Sequence, residues 1–244
     1  MSVGATTKPQ LRPRYYTPAF TYRLIRFITT AIMRLLYRWD VKGRENAPAT
    51  GATMIIVNHL HLLDPFAVAP NFTRQIVTLV ASKWADKWLM RAFLNAIGVI
   101  YIRRGEVDRE ALRAGLEVLK AGRVLAIAPE GTRSRSGRLQ EAKSGAAYLA
   151  LRTNAVIVPV AYWGIERLRE WRPWRRPTCH VVIGKPFRLP LPEGKLSSDD
   201  LPARTDLLMI QLGRLLPESY RGAYAERIAA YEAGQRSGID IIPA

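Results

Sequence analysis

The chain has almost no cysteine. Cys179 stands alone among 244 residues, which excludes a disulfide framework and any cysteine-built zinc or iron–sulfur centre. It lacks an apolar run of the roughly 18 residues that a simple transmembrane helix needs. The nearest stretch, Phe20 to Trp39, is interrupted by Arg23, Arg26, Arg34 and Arg38. Met1 to Arg14 has no apolar core followed by a small-residue cleavage site, so no signal peptide is read there and the expected location is the cytoplasmic side. Acidic residues are scarce, 20 against 37 lysines and arginines, giving a net charge of +17. There is no Walker loop, no dinucleotide-binding glycine fingerprint, no Gly-x-Ser-x-Gly elbow, no internal repeat and no low-complexity tract. Cys179 sits in a strand-like pattern with no turn beside it, which argues against a covalent cysteine mechanism.

What is present is arginine, 29 residues of it against 8 lysines. Its planar fork matches phosphate geometry, so the excess points to a polyanion or an anionic surface: nucleic acid, a membrane leaflet, or a phosphorylated substrate and carrier. With 48% hydrophobic and 23% charged residues the composition is that of a globular protein. Buried-strand runs at Thr53 to Val57, Gln75 to Ala81, Val99 to Ile102, Arg123 to Ala128, Ala155 to Ala161 and His180 to Ile183 alternate with helical patterns. These helical patterns lie near Pro65 to Phe72, Ala85 to Ala96, Val107 to Ala121 and Lys143 to Arg152. The alternation predicts an α/β fold, a mixed and mostly parallel sheet flanked by helices. Ligands of such sheets bind beyond the carboxyl ends of the strands.

Phe20 to Trp39 reads as an amphipathic helix. Ile25, Ile28, Ile32, Leu35, Leu36 and Trp39 fall on one stripe, with Arg23, Arg26, Arg34 and Arg38 opposite. The stripe either packs on the core or lies in a membrane interface with its guanidiniums at the lipid phosphates. Phe27 and Tyr37 spill onto the arginine side, which suits a headgroup zone. The chain divides accordingly into a basic tail and membrane-binding helix (1–39), a central domain (40–216) and a C-terminal helical tail (217–244) that carries no readable chemistry. Arg167 to Pro177 is a basic loop with Trp171 and Trp174 in it.

Three of the strand ends are followed by chemistry-bearing residues. After Val57 comes Asn58-His59-Leu60-His61-Leu62-Leu63-Asp64-Pro65, holding two of the three histidines. If the chain turns between them, Asp64 can orient His59 as a general base acting on an alcohol. Equally, Asp before Pro is a standard helix start. A metal site at His59 and His61 would be short of ligands, so none is assigned. After Ala128 comes Pro129-Glu130-Gly131-Thr132-Arg133, in which backbone N–H groups, the Thr132 hydroxyl and the Arg133 guanidinium can cradle a phosphate. Glu130 would repel that phosphate and is better suited to holding a neighbouring cation. The plainer reading is a polar turn. Arg103 and Arg104 leave the Val99–Ile102 strand, and Lys83 and Lys143 add positive charge, Lys143 at a helix N-terminus where the macrodipole opposes it.

In order, these blocks are His59-x4-Asp64, Gly98-x-Ile100-Tyr101-Ile102-x-Arg104, Pro129-Glu130-Gly131-Thr132-Arg133 with Lys143-x-Gly145, and Val156-Ile157-Val158-Pro159-Val160. Together they resemble the glycerolipid acyltransferase family, especially its bacterial members that acylate lysophosphatidic acid, over roughly residues 41 to 186. The resemblance implies His59 as general base and Asp64 as its partner. It implies an acceptor-phosphate site from Arg104, Glu130, Gly131, Thr132 and Arg133, with Lys83 and Lys143 adding charge. The implied reaction moves an acyl chain from acyl-CoA or acyl carrier protein to the sn-2 hydroxyl of 1-acyl-glycerol-3-phosphate, giving phosphatidic acid, without metal or redox cofactor. Ala142 and His61 depart from the family pattern and touch the acceptor pocket. The alternatives are another lysolipid acceptor and, from a different class, a basic nucleic-acid-binding module. That module would leave the His59–Asp64 block unexplained.

Overall fold

A computed structural model describes residues 15, 17–103, 108–235 and 239–244. Helix α1 (Ala19–Leu36) leads into strand β1 (Arg38–Lys42), which is followed by β2 (Thr53–Val57), α2 (Asp64–Val68), β3 (Ile76–Ala81), α3 (Trp88–Ile97) and β4 (Val99–Ile102). Then come α4 (Arg109–Lys120), β5 (Val124–Ile127), α5 (Gly145–Thr153), β6 (Val156–Trp163), β7 (Thr178–Ile183), β8 (Phe187–Arg188), α6 (Leu201–Gly213), α7 (Ala225–Glu232) and β9 (Ile242–Pro243). The sheet runs β1-β7-β6-β2-β5-β3-β4, with β8 and β9 added beside β6. The β6–β7 pairing and those of β8 and β9 are antiparallel, while the other pairs are parallel. The central strands β2 and β5 are almost wholly buried because helices cover both faces, which is why they read as unbroken apolar runs.

Two apolar layers result. One packs α4, α5 and α6 against one sheet face around Leu125, Leu149, Ile157 and Leu208. The other packs α1 and α2 against the opposite face around Met33, Ile55, Val158 and Val181. The C-terminal residues belong to the first layer. Tyr224 and Ile228 are fully buried in it, and the Tyr224 hydroxyl accepts the Ala142 N–H at 3.1 Å. Gly222 has φ +48°, and a Cβ there would lie 2.2 Å from the Leu139 carbonyl oxygen, so the chain crosses this point only as glycine.

The N-terminal helix differs from its sequence reading in two respects. It stops at Leu36, and Arg38 and Trp39 continue as β1, paired in parallel with β7 through Arg38↔Thr178 and Trp39↔Cys179. Strand pairing with a partner 140 residues away overrides the local helical pattern. The helix is also rotated from the expected stripe. Tyr22 and Met33 are buried, and Arg26 turns inward to donate to the Phe72 carbonyl oxygen. Phe20, Leu24, Phe27, Ile28, Ile32 and Leu35 point outward, with Arg23 and Arg34 exposed on the margin of that face. The helix therefore has two unlike faces. It is glued to the core by one face and shows an apolar face to solvent on the other. Among the described residues, no helix is long and apolar enough to cross a membrane.

The two faces predict opposite responses. Met33→Ala removes a side chain that is 2% exposed and should lower unfolding free energy by about 2–4 kcal/mol. Phe27→Ser, at 72% exposed, should change it by no more than about 0.5 kcal/mol. Urea titrations of both variants check this.

Candidate active site

The site is built by strand adjacency. Strand β2 pairs in parallel with β5 on one side and β6 on the other, so their carboxyl ends lie together. His59 stands two residues past β2, Glu130 three past β5, and Tyr162 lies in the last turn-out of β6. Blocks about 70 and 100 residues apart in sequence thus meet at one edge.

His59 Nδ1 lies 2.7 Å from Asp64 Oδ2. Between them the chain makes a tight turn rather than a helix, and the turn is shaped by Asp64 itself. Oδ2 also accepts the Leu60 N–H at 2.8 Å, and Oδ1 accepts the His61 N–H at 2.9 Å. Asp64 and Pro65 do open α2, with Leu63 as its N-cap, but the carboxylate reaches backward to the histidine turn. With Nδ1–H donated to Asp64, the tautomer is fixed and Nε2 keeps its lone pair. Asp64 is 4% exposed, and these three N–H donors converge on its carboxylate. His61 has its own work in the turn, accepting the Leu63 N–H on Nδ1 at 3.3 Å.

Behind the pair stand two residues that the sequence reading missed. Asn58 exchanges both bonds with the Tyr162 backbone, Nδ2 to the carbonyl oxygen at 2.8 Å and Oδ1 from the N–H at 3.0 Å. The Tyr162 hydroxyl donates to the Asn58 carbonyl oxygen. Burial, then the neighbouring Asp64 charge, push this phenol well above its ordinary pKa, so it stays protonated. The signal available in sequence was the Asn immediately before His59 and a Tyr at the end of a Val/Ala-rich strand. Both read as packing until the strands are paired.

Glu130 differs from its expected part. It is 3% exposed and its Oε1 accepts the His59 N–H at 3.0 Å. Oε2 accepts the Gln140 N–H at 2.9 Å and the Gln140 side-chain amide at 3.2 Å. It holds two loops together rather than a cation or a phosphate. Burial raises its carboxyl above the ordinary value, against the N–H donors of Gln140 and His59 that favour the charge. The Ser134 N–H closes the same junction by donating to the His59 carbonyl oxygen at 2.8 Å.

The remaining turn residues Gly131, Thr132 and Arg133 are exposed. Gly131 has φ +70°, and a Cβ on it would meet Lys143 Cδ at 3.2 Å and Nζ at 3.8 Å. Lys143 therefore lies across the turn and adds its charge there. Lys83 is exposed beyond β3, with its ammonium 5.8 Å from the Trp84 ring centre. Arg104 lies outside the described residues.

His59, Asp64 and Gly131 border a cavity of about 190 Å³ whose far walls are apolar: Ile25, Val68, Ile76, Leu79, Ile97 and Ile102. Tyr22, Arg26 and Thr29 on the inner face of α1 close one side. A basic nitrogen, a cationic turn and a long apolar recess at one opening can accept an amphiphile with a charged head. Cys179 is buried in the α1/α2 layer near the start of β7, its thiol pushed up to about 12 by burial and then by the Glu166 and Asp64 charges, and takes no part as a nucleophile.

A histidine and an aspartate at one sheet edge, facing an apolar recess, define a candidate general-base site on an α/β fold, and comparison with known proteins gives the family. Residues 38–163 match the acyltransferase family model, and the chain belongs to that family. It is 32% identical over 125 residues to a 1-acyl-sn-glycerol-3-phosphate acyltransferase of Borreliella burgdorferi, covering 50% of each chain. It is 26% identical to the Bacillus subtilis protein of the same name, over 60% of this chain and 72% of that one. The crystal structure of the 1-acyl-sn-glycerophosphate acyltransferase PlsC from Thermotoga maritima shares the fold, with TM-score 0.60 at 23% identity over 76% of this chain and 75% of that one. The chain spans about half the length of the Borreliella relative and about two fifths of the chloroplast relatives from Brassica napus and Arabidopsis thaliana.

Glu130→Gln tests the junction. A glutamine amide can satisfy only one of the two loops, because its NH₂ group faces an N–H donor on the other. The expected loss is about 1–3 kcal/mol of stability, read by urea titration. The His59 loop should loosen with it, seen as faster hydrogen exchange at the His59 and Gln140 amides.

Proposed function

We propose that this chain transfers an acyl group from a thioester donor, acyl-CoA or acyl carrier protein, to the sn-2 hydroxyl of 1-acyl-glycerol-3-phosphate, producing phosphatidic acid. The observation that carries the reading is the His59–Asp64 contact at the mouth of the apolar cavity, beside the Gly131–Arg133 turn. His59 Nε2 takes the proton of the acceptor hydroxyl as its oxygen attacks the thioester carbonyl carbon. Asp64 stabilises the imidazolium that forms. The tetrahedral intermediate collapses with cleavage of the C–S bond, and the imidazolium returns its proton to the departing thiolate. Arg133, the Thr132 hydroxyl and Lys143 hold the acceptor phosphate, and the cavity takes an acyl chain, so remote binding is converted into orientation of the hydroxyl. Both donors are anionic, which suits a chain of net charge +17.

The same reading places the chain on the cytoplasmic face of a membrane, since its acceptor resides in the bilayer. The outward face of α1, Phe20, Leu24, Phe27, Ile28, Ile32 and Leu35 with Arg23 and Arg34 at its margin, would lie at the lipid surface. Arg26, grouped with the lipid-facing arginines on sequence alone, turns inward to the Phe72 carbonyl oxygen, whereas Arg38 pairs through its backbone in β1 and keeps an exposed side chain.

His59→Ala should lower kcat by about 10²–10⁴ with the fold retained. Asp64→Asn should also lower kcat, and it should destabilise the turn, because three backbone or imidazole donors converge on this carboxylate. Arg133→Ala should raise KM for a phosphate-bearing acceptor about ten- to a hundred-fold with little change for the acyl donor. Steady-state kinetics over several lysolipids with both donors decide the reading, and near-normal kcat in His59→Ala would overturn it.

A further inference from the structure

The basic, aromatic segment after β6 is unused by the chemistry above. It forms a short 3-10 helix (Ile165–Glu170) and then a tight hairpin in which the Arg172 N–H donates to the Arg175 carbonyl oxygen at 2.9 Å and the Arg175 N–H returns the bond at 3.0 Å. Pro173 and Trp174 occupy the two corners. Proline sets the first corner's backbone and leaves the second side chain projecting, and Trp174 is 81% exposed. Residues 172–176 are all exposed, and Arg169, Arg172, Arg175 and Arg176, all within five residues of the tryptophan along the chain, are exposed as well. The one carboxylate of the segment beyond Glu166, Glu170, is held by Arg167 through bonds of 2.8 and 2.6 Å and also feels Arg175, so the segment keeps an excess of positive charge.

The position of the hairpin is as informative as its composition. It springs from the carboxyl end of β6, the edge at which His59 and Glu130 stand. Its base is tied to the last turn of α1, where Arg176 Nη1 donates to the Arg34 carbonyl oxygen at 2.8 Å, and the Arg38 N–H donates to the Pro177 carbonyl oxygen at 2.9 Å. Leu35, at that same end of α1, is 66% exposed.

We propose that the Arg172–Arg175 hairpin is a second contact with an anionic bilayer, set beside α1, with Trp174 seated at the headgroup level and the arginines on lipid phosphates. The inference rests on the membrane reading of α1. An indole has an apolar body and one N–H donor, the combination that settles at a lipid–water boundary. A cluster of arginines around it supplies attraction to anionic lipid that falls with salt. Two contacts at one sheet edge fix the tilt of the molecule as well as its depth, which a single helix lying in the interface does not. The cavity mouth beside His59 is thereby held toward the lipid from which an amphiphilic acceptor must come.

The test uses the full chain and vesicles of phosphatidylglycerol with phosphatidylethanolamine, sedimented at low and high salt. The variants are Trp174→Ala/Arg175→Ala and Trp174→Phe, against Phe27→Ser/Leu35→Ser on α1. The double hairpin variant should partition at least about ten-fold more weakly, with a shallower salt dependence. It should turn over a short-chain, water-soluble acceptor at the wild-type rate, which also reports that it is folded. Brominated-lipid quenching of tryptophan emission should fall in Trp174→Phe, while that variant still binds. Undiminished binding of the hairpin variant, alongside weakened binding of the α1 variant, overturns this proposal and leaves α1 as the docking element. Failure of the wild-type chain to bind vesicles overturns both readings. Retained vesicle binding with a selective loss of acyl-carrier-protein-dependent turnover overturns the lipid assignment and gives the hairpin to the protein donor.

Discussion

The candidate site depends on one buried carboxylate. Glu130 receives the His59 N–H on one oxygen and the Gln140 N–H on the other, so the loop after β2 and the loop after β5 share a single acceptor group. A carboxylate has no donor of its own when ionised and can serve both loops at once, which no neutral side chain of the same length can do. Burying it is costly, and the cost is offset by the N–H groups that would otherwise be unsatisfied at the ends of two adjacent parallel strands. Everything downstream follows from that junction. The His59 backbone is held, Asp64 can close its turn on the imidazole, and the Gly131–Arg133 turn is presented at the same opening.

The histidine and aspartate are held by more than one another. Leu60 and His61 N–H groups fix the carboxylate, Asn58 and Tyr162 lock the strand end beneath it, and Ser134 pins the His59 carbonyl. Positioning at this density leaves the imidazole little freedom to rotate and keeps its Nδ1 face committed to Asp64. The C-terminal residues contribute from the far side. Tyr224 supports Ala142, and Leu139 is bracketed by bonds to Tyr220 and Ala223, so the loop that carries Gln140 and Lys143 rests on a segment with no chemistry of its own.

Helix α1 shows how one amphipathic pattern can serve two surfaces. Its inner side, with Tyr22, Arg26 and Thr29, is part of the cavity wall, while its outer side is apolar and rimmed by arginine. A helix that only packed on the core would expose polar residues, and one that only rested on lipid would contribute nothing to the cavity. Here the same helix couples the recess to the exterior, and the basic hairpin is tied to its last turn.

Much was determined by the sequence alone. The period-2 and continuous apolar runs placed six of the strands to within about two residues, because buried parallel strands need little beyond β-branched and aliphatic residues. His59-x4-Asp64 and Pro129-Glu130-Gly131-Thr132-Arg133 were legible because a turn that bends a carboxylate back onto a histidine, and a glycine turn with cationic neighbours, both leave local marks. Tertiary structure decided the rest. Whether Asp64 caps a helix or orients His59 depends on the turn's path. Whether Glu130 meets a cation or two backbone amides depends on β5 lying beside β2, a contact between residues 71 positions apart. Arg38 and Trp39 became a strand because β7 was there to pair with them, and the face of α1 turned outward was chosen by the bonds of Tyr22 and Arg26 to the segment around Phe72 and Ile76. Local pattern records what a residue can do along its own helix or strand. Which partner it meets is set by strand order, and strand order is a property of the whole sheet.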